Sequence, residues 1–402
     1  MSQRPATISL QSPFARLRNL LEAHAPGQPA LSLALGEPRH AAPEFVLQAL
    51  AADPQSYTRY PPIAGLPQWR DAVAGWLHRR FDIAPDTLSQ APQILPLNGT
   101  REGLFMAAQL APPKDHGLMA MPNPFYQVYA SAVQAAGATP LYMDATAATG
   151  FLPDLDSLDD ATLSRLRALY LCTPANPQGA IADLAYLEKA YAMARQHNFL
   201  LLVDECYAEI YDRDYEATPP PSILQVLQKH QHHDAPVISF HSLSKRSNLP
   251  GLRSGFCAGG EDVMKAFFDL RMIAGPQSPI AVQTAAALAW GEDTHVAENR
   301  ALYQQKFDVA ATLFADWPGF FRPPGGFFLW LRVEDGEAAA LALWRQVGIQ
   351  VLPGAYLTRP SADGTNIGTP YIRIALVGDL DETHRALSDI ARVLSPPEEA
   401  VS

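Results

Sequence analysis

LRALYLCTPANPQGAIADLAYLEKAYAMARQHNFLLLVDECY, Leu166–Tyr207, lays out a strand, a turn, a helix and a second strand in succession. Leu166–Cys172 is apolar without alternation, the pattern of a strand covered on both faces. It stops at Thr173-Pro174. Leu184–Asn198 then spaces its apolar residues as an amphipathic helix does. Phe199–Tyr207 returns to a continuous apolar run and carries Asp204 at its end. Further on, APVISFHSLSK and LRSGFCAGG repeat the strand theme. Continuous apolar strands separated by helices predict an α/β fold on a mainly parallel sheet with helices on both faces.

The C-terminal part reads differently. Val296–Trp317 is a long helical pattern, Pro323–Val333 a glycine turn followed by a strand, and Thr369–Val377 another strand. This order predicts a smaller α+β module, with the boundary around Gln283–Glu292. A chain of 402 residues has room for two or three domain-sized units. Apolar residues make up 48% and charged residues 18%, which suits a large core and argues against wholesale disorder.

A net charge of −11 and no stripe of Lys and Arg exclude a general nucleic-acid binder. No run of ~18 apolar residues predicts a membrane span. The N-terminal stretch lacks the continuous apolar segment of a secretory signal, so a cytoplasmic protein is expected. Cys172, Cys206 and Cys257 lie far apart, without a CxxC, in or just beyond apolar runs, and read as buried thiols in a reducing compartment. The cluster His230–Asp234 has no ligand-rich partner segment and reads as a polar loop rather than a metal site.

In open α/β sheets the ligand site lies beyond the carboxyl ends of the strands. Those ends carry Gly99-Thr100-Arg101 before an apolar helix, Tyr126 after GLMAMP, Asn176 after LYLCTP, Asp204 with Tyr207, Ser242 with Lys245, and Arg253. Each has a plain structural reading as a turn or cap residue. Together they gather an amine, a carboxylate, an amide, phenols, hydroxyls and a guanidinium on one rim. Pyridoxal phosphate needs all of these. Its phosphate suits a helix N-terminus at Gly99–Arg101 with Ser242 and Arg253 beside it. Its ring nitrogen needs a carboxylate, Asp204, to stay protonated. Its phenolic oxygen needs donors, Asn176 and Tyr207; its ring a stacking partner, Tyr126; its aldehyde an amine, Lys245.

SLSKRSNLPGLRSGF, NPQG, VDECY and YIRIAL, taken in order, resemble the motif set of the class I/II, fold-type I pyridoxal-phosphate aminotransferases. The resemblance implies that Lys245 bonds the cofactor aldehyde and that Asp204 and Tyr207 complete the catalytic group. It also implies a large domain over residues 46–288 with a seven-stranded sheet, and a smaller one over 289–402 joined by part of 1–45. Tyr60, in YTRYPPIAGLP, matches a tyrosine that reaches the neighbouring subunit's cofactor phosphate, which implies a homodimer. Arg373 matches the arginine that grips the substrate α-carboxylate, with Gly36 of LGEP beside it; Asn176 lies near the same substrate. LALGEPRH, SPFARLR, PNPFYQVY and GIQVLPG add a closer resemblance to bacterial succinyldiaminopimelate aminotransferases. This implies transfer of the amino group of N-succinyl-LL-2,6-diaminopimelate to 2-oxoglutarate by a ping-pong mechanism.

Three rivals are weighed. A lyase or decarboxylase would share the cofactor and the site. A cofactor-binding regulator would need a DNA-reading module, and no basic helix-turn-helix precedes the first motif. A nicotinamide dehydrogenase would need GxGxxG after a strand, which the sequence lacks.

Overall fold

A computed structural model describes residues 12–85, 93–361, 363–394 and 396. The first eleven residues, part of the stretch read above for a secretory signal, lie outside them. Among the described residues twelve strands follow in chain order, beginning with β1 (Leu31–Ser32), β2 (Ile94–Leu97), β3 (Leu118–Asn123), β4 (Thr139–Asp144), β5 (Leu166–Cys172) and β6 (Leu200–Asp204). Then come β7 (Val237–Ser242), β8 (Gly255–Gly259), β9 (Phe328–Arg332), β10 (Ile349–Gln350), β11 (Leu352–Pro353) and β12 (Tyr371–Ala375).

Seven of them form one sheet in the order β2-β8-β7-β6-β5-β3-β4. Both faces are covered, and the alternation of side chains assigns them. Leu169, Leu171, Leu201 and Val203 enter one apolar cluster, whereas Ala168, Tyr170, Leu200 and Leu202 enter another. The helix Leu184–His197 starts where Asp183 accepts a hydrogen bond from the Tyr186 N–H and ends on Asn198 at φ 51°.

One strand departs from the expected direction. β8, in the LRSGFCAGG stretch, pairs antiparallel with both β2 and β7. The segment from β7 to β8 carries only the short helix Leu243–Arg246 and a single 3-10 turn, Pro250–Leu252. That is too little to cross a sheet face, so the chain reverses beside its own strand. The reversal leaves Lys245 at the C-terminal end of β7.

A second sheet, β11-β12-β9, is antiparallel throughout. Leu329, Leu331, Ile372 and Ile374 pack there against Leu387 and Ile390 of the helix Leu380–Val393. β1 pairs parallel with β10, so Leu31–Ser32 joins the C-terminal part. The long helix runs Thr294–Leu313, ending earlier than its apolar pattern because Pro318 forces the preceding chain out of helical geometry. No helix among the described residues is long and apolar enough to cross a membrane.

Candidate active site

The carboxyl ends of β5, β6 and β7, the start of the helix Thr100–Ala107 and the C-terminal β12 surround one cavity of about 350 Å³. Every site residue expected from the sequence lines it except Gly99 and Tyr60. Gly99 backs onto Arg253. Tyr60 is 95% exposed on the surface of the single chain.

Asp204 ends β6 and is buried. One carboxylate oxygen accepts from the Cys206 N–H at 3.2 Å, the other from the Tyr129 hydroxyl at 2.7 Å. Burial pushes its carboxyl above the usual range, and the bonds from Cys206 and Tyr129 oppose that shift. Tyr129 escaped sequence reasoning because its place in PNPFYQVY reads as a core aromatic; it stacks on Tyr170 at 4.6 Å. Glu205, next in the chain, turns the other way. It accepts from the Ser222 hydroxyl at 2.6 Å and lies 3.0 Å from His241 Nε2 beneath the rim.

Lys245 reaches across the cavity and donates to the Gly36 carbonyl at 2.6 Å. Burial pushes its ammonium down to about 8, and Arg373 and Arg253 add repulsion that Cys206 and Glu37 partly offset. Arg373, on β12, donates to Asn176 Oδ1 at 3.2 Å and to the Ala34 carbonyl at 2.7 Å. Its Nε finds no partner among the described residues, and burial lowers its guanidinium to about 10. With its oxygen held by Arg373, the Asn176 amide presents N–H donors. Burial also raises the Tyr207 phenol well above its usual range, so it stays a donor near neutral pH.

At the opposite end, Gly99 has φ 78°, and a Cβ there would come within 2.1 Å of Arg253 Nη2. Only glycine leaves room for the guanidinium over that turn. Ser242 Oγ caps the short helix of Lys245 by accepting from the Ser244 N–H at 3.1 Å. Thr100 Oγ1 lies 3.1 Å from Cys206 Sγ. Arg101 Nε donates to the Tyr126 hydroxyl at 2.7 Å.

Two readings need amending. Cys257 is buried as expected, but Cys172 and Cys206 are half-buried and line the cavity, because the strand ends that carry them form its wall. The His230–Asp234 run folds partly as a helix end, with His230 and His232 stacked on Tyr191 and His232 Nδ1 2.7 Å from the Tyr191 hydroxyl. Among the described residues no group of three or more His, Cys, Asp and Glu side chains could hold a metal ion.

The model of the aminotransferase class I and II family matches residues 28–390. The chain belongs to this family. An LL-diaminopimelate aminotransferase from Dehalococcoides mccartyi is 31% identical over 390 residues, covering 94% of this chain and 95% of that one. A solved aminotransferase from Neisseria meningitidis Z2491 is 36% identical with a TM-score of 0.88, over 96% of this chain and 97% of that one. The aminotransferase AspB from Helicobacter pylori 26695 is 34% identical with a TM-score of 0.86, over 98% and 99%.

Class I and II aminotransferases depend on pyridoxal phosphate, and this one carries the groups the cofactor requires. Among the described residues the buried Asp204 accepts hydrogen bonds only from neutral donors, which leaves it short of a cation such as a protonated ring nitrogen. The buried Arg373 and the half-buried Lys245 donate only to neutral oxygens among the described residues, with no carboxylate hydrogen-bonded to either, so both are short of an anionic partner. Thr100, Ser242 and Arg253 line one end of the cavity, where a hydroxyl pair and a guanidinium held by the Gly99 turn suit a phosphate. The residues fit the cofactor.

Proposed function

We propose that this aminotransferase takes a diaminopimelate-class amino donor, N-succinyl-LL-2,6-diaminopimelate, and passes its amino group to 2-oxoglutarate. One observation carries the class of donor: the near full-length likeness to an LL-diaminopimelate aminotransferase in a chain whose cavity converges Lys245, Asp204 and Arg373. The succinyl group rests on the motif set around LALGEPRH and GIQVLPG. Unsuccinylated LL-diaminopimelate is the second reading, favoured by that relative's name.

In this reading Arg373 and the Asn176 amide bind the substrate α-carboxylate and orient its Cα. Asp204, steadied by Tyr129, holds a proton at the ring nitrogen. Thr100, Ser242, Arg253 and the backbone at Gly99 and Arg101 take the phosphate; Tyr126 covers the ring; Asn176 and Tyr207 donate to its phenolic oxygen. Bound pyridoxal phosphate supplies an aldehyde that takes up amino groups and a ring that withdraws electrons. Lys245 would be the amine that holds the cofactor's aldehyde, and its free amine would take the proton from Cα as a general base. Burial lowers its ammonium to about 8, which favours the neutral amine that a base requires. Departure of the oxo acid before the second substrate binds gives ping-pong kinetics.

The same reading makes the enzyme a cytoplasmic homodimer in which Tyr60 reaches the partner's phosphate site. The exposed Tyr57, Tyr60 and Ile273 are apolar surface that a second copy would cover. It divides the chain near residues 45 and 288. Initial rates with both donors, with and without 2-oxoglutarate, test the proposal. Glutamate should form fastest from the succinylated donor. A faster rate with free LL-diaminopimelate selects the second reading, and product release beyond one equivalent per active site without any acceptor marks a lyase or decarboxylase.

A further inference from the structure

We propose that Lys306, His40 and Asn299 are positioning residues for the reaction, a buried relay that fixes Lys245 from both of its ends. This rests on the reading of Lys245 given above. Asn299, Tyr303 and Lys306 share one buried face of the helix Thr294–Leu313, at spacings of four and three residues. Lys306 is 2% exposed and donates to His40 Nε2 at 2.6 Å and to the Leu376 carbonyl at 3.1 Å. An ammonium has no acceptor, so His40 Nε2 is the acceptor and its proton sits on Nδ1. That N–H donates to Asn299 Oδ1 at 2.8 Å, which also accepts from Asn248 Nδ2 at 2.9 Å. With its oxygen engaged, Asn299 donates through Nδ2 to the Lys245 carbonyl at 3.2 Å and to the Arg246 carbonyl at 3.4 Å. Every donor in the chain therefore points from Lys306 toward the main chain of Lys245.

The other end of Lys245 is held by the same cluster. His40 lies four residues after Gly36, whose carbonyl accepts the Lys245 amine, and six after Ala34, whose carbonyl accepts from Arg373. The His40 ring packs on Tyr303 at 4.7 Å, Tyr303 stacks on Phe327 at 5.3 Å, and Lys245 Nζ sits 5.0 Å over Phe327. One side-chain cluster thus sets both the backbone that carries the amine and the loop that aims it.

Stability alone gives no reason to keep a lysine there. A buried ammonium costs desolvation, and a well-packed apolar replacement of similar size is often neutral or stabilising. Burial lowers the titration of Lys306 to about 8, with Asp379 and Glu382 attracting its charge and Arg39 repelling it. Burial also lowers that of His40. The His40 shift favours the donor direction described above, with a neutral imidazole between two fixed partners, and at about 8 Lys306 is still mainly an ammonium near pH 7.

The test uses the cofactor-loaded enzyme with Lys306→Met, His40→Phe and His40→Gln, following kcat, the pH midpoint of the visible absorbance band and the melting midpoint. A misplaced amine should lower kcat about tenfold or more in Lys306→Met and His40→Phe. The band midpoint should move by about half a pH unit or more, since the environment of Lys245 changes. His40→Gln offers an acceptor and a donor on one amide and should keep kcat within about threefold of the parent enzyme. Unchanged kcat and band midpoint in Lys306→Met and His40→Phe overturn the relay. So does a loss in His40→Gln that matches His40→Phe and tracks a lowered melting midpoint, the mark of a purely structural role. A Lys245→Ala control separates the two levels: survival of the visible band there defeats the reading of Lys245 itself, whatever the relay variants do.

Discussion

Tyr129→Phe removes one hydroxyl from the floor of the site and leaves the ring stack on Tyr170 in place. The lost bond is the 2.7 Å donation to a buried carboxylate, Asp204. A hydrogen bond to a charged group contributes about 1.5–3 kcal/mol. Without it burial acts on Asp204 with less opposition, so its carboxyl titrates higher still and its ionised form is less available to a protonated ring nitrogen. At about 1.4 kcal/mol per factor of ten, cofactor affinity should fall roughly ten- to hundredfold. Absorbance titration of the cofactor-free protein with pyridoxal phosphate reads this directly, and kcat at saturating cofactor should fall as well. A dissociation constant within twofold of the parent's would mean that Tyr129 only packs, and that Asp204 does not depend on it.

Arg373→Ala should raise KM at least about thirtyfold for every amino-acid and oxo-acid substrate, since breaking one partner of a buried charged contact costs 2 kcal/mol or more; an effect on one substrate alone contradicts an α-carboxylate role. Gly99→Ala adds a Cβ in the left-handed region and displaces Arg253, so affinity for cofactor, and for inorganic phosphate competing with it, should drop about tenfold. Equal affinity would remove Arg253 from the phosphate site. Lys245→Met concerns pH. The amine falls from 10.5 to about 8 in the fold, so between those values the folded state binds fewer protons and stability rises with pH. The cofactor-free Lys245→Met chain should therefore be more stable than the parent near pH 7, by up to roughly 3 kcal/mol, and the gain should fade as pH approaches 10.5. Denaturant titrations at pH 7 and pH 10 decide it, and equal stability at pH 7 speaks against a buried amine.

The buried strands were legible because Leu166–Cys172 and Phe199–Tyr207 are apolar on both faces, which few other elements tolerate. The rim was legible because Asn176, Asp204 and Lys245 stand where those runs end. Strand direction was not: LRSGFCAGG is apolar whichever way it runs, and only the short connection from β7 decides. Tyr129 was hidden because a core aromatic and a carboxylate's donor look alike in one dimension. Asn299 and Lys306 were hidden for the opposite reason, as polar residues on a long helix normally face solvent. The two-residue pairing of β1 with β10 is too short to leave any periodic signal. Tyr60 stands apart, since its expected partner belongs to a second copy of the chain.

Borohydride reduction of the cofactor-loaded enzyme, followed by mass mapping of its peptides, tests the bond on which the mechanism turns. The pyridoxyl group should be recovered on the peptide that contains Lys245, with the visible band lost on reduction. Recovery on any other lysine, or a band that survives reduction with no peptide modified, would contradict it.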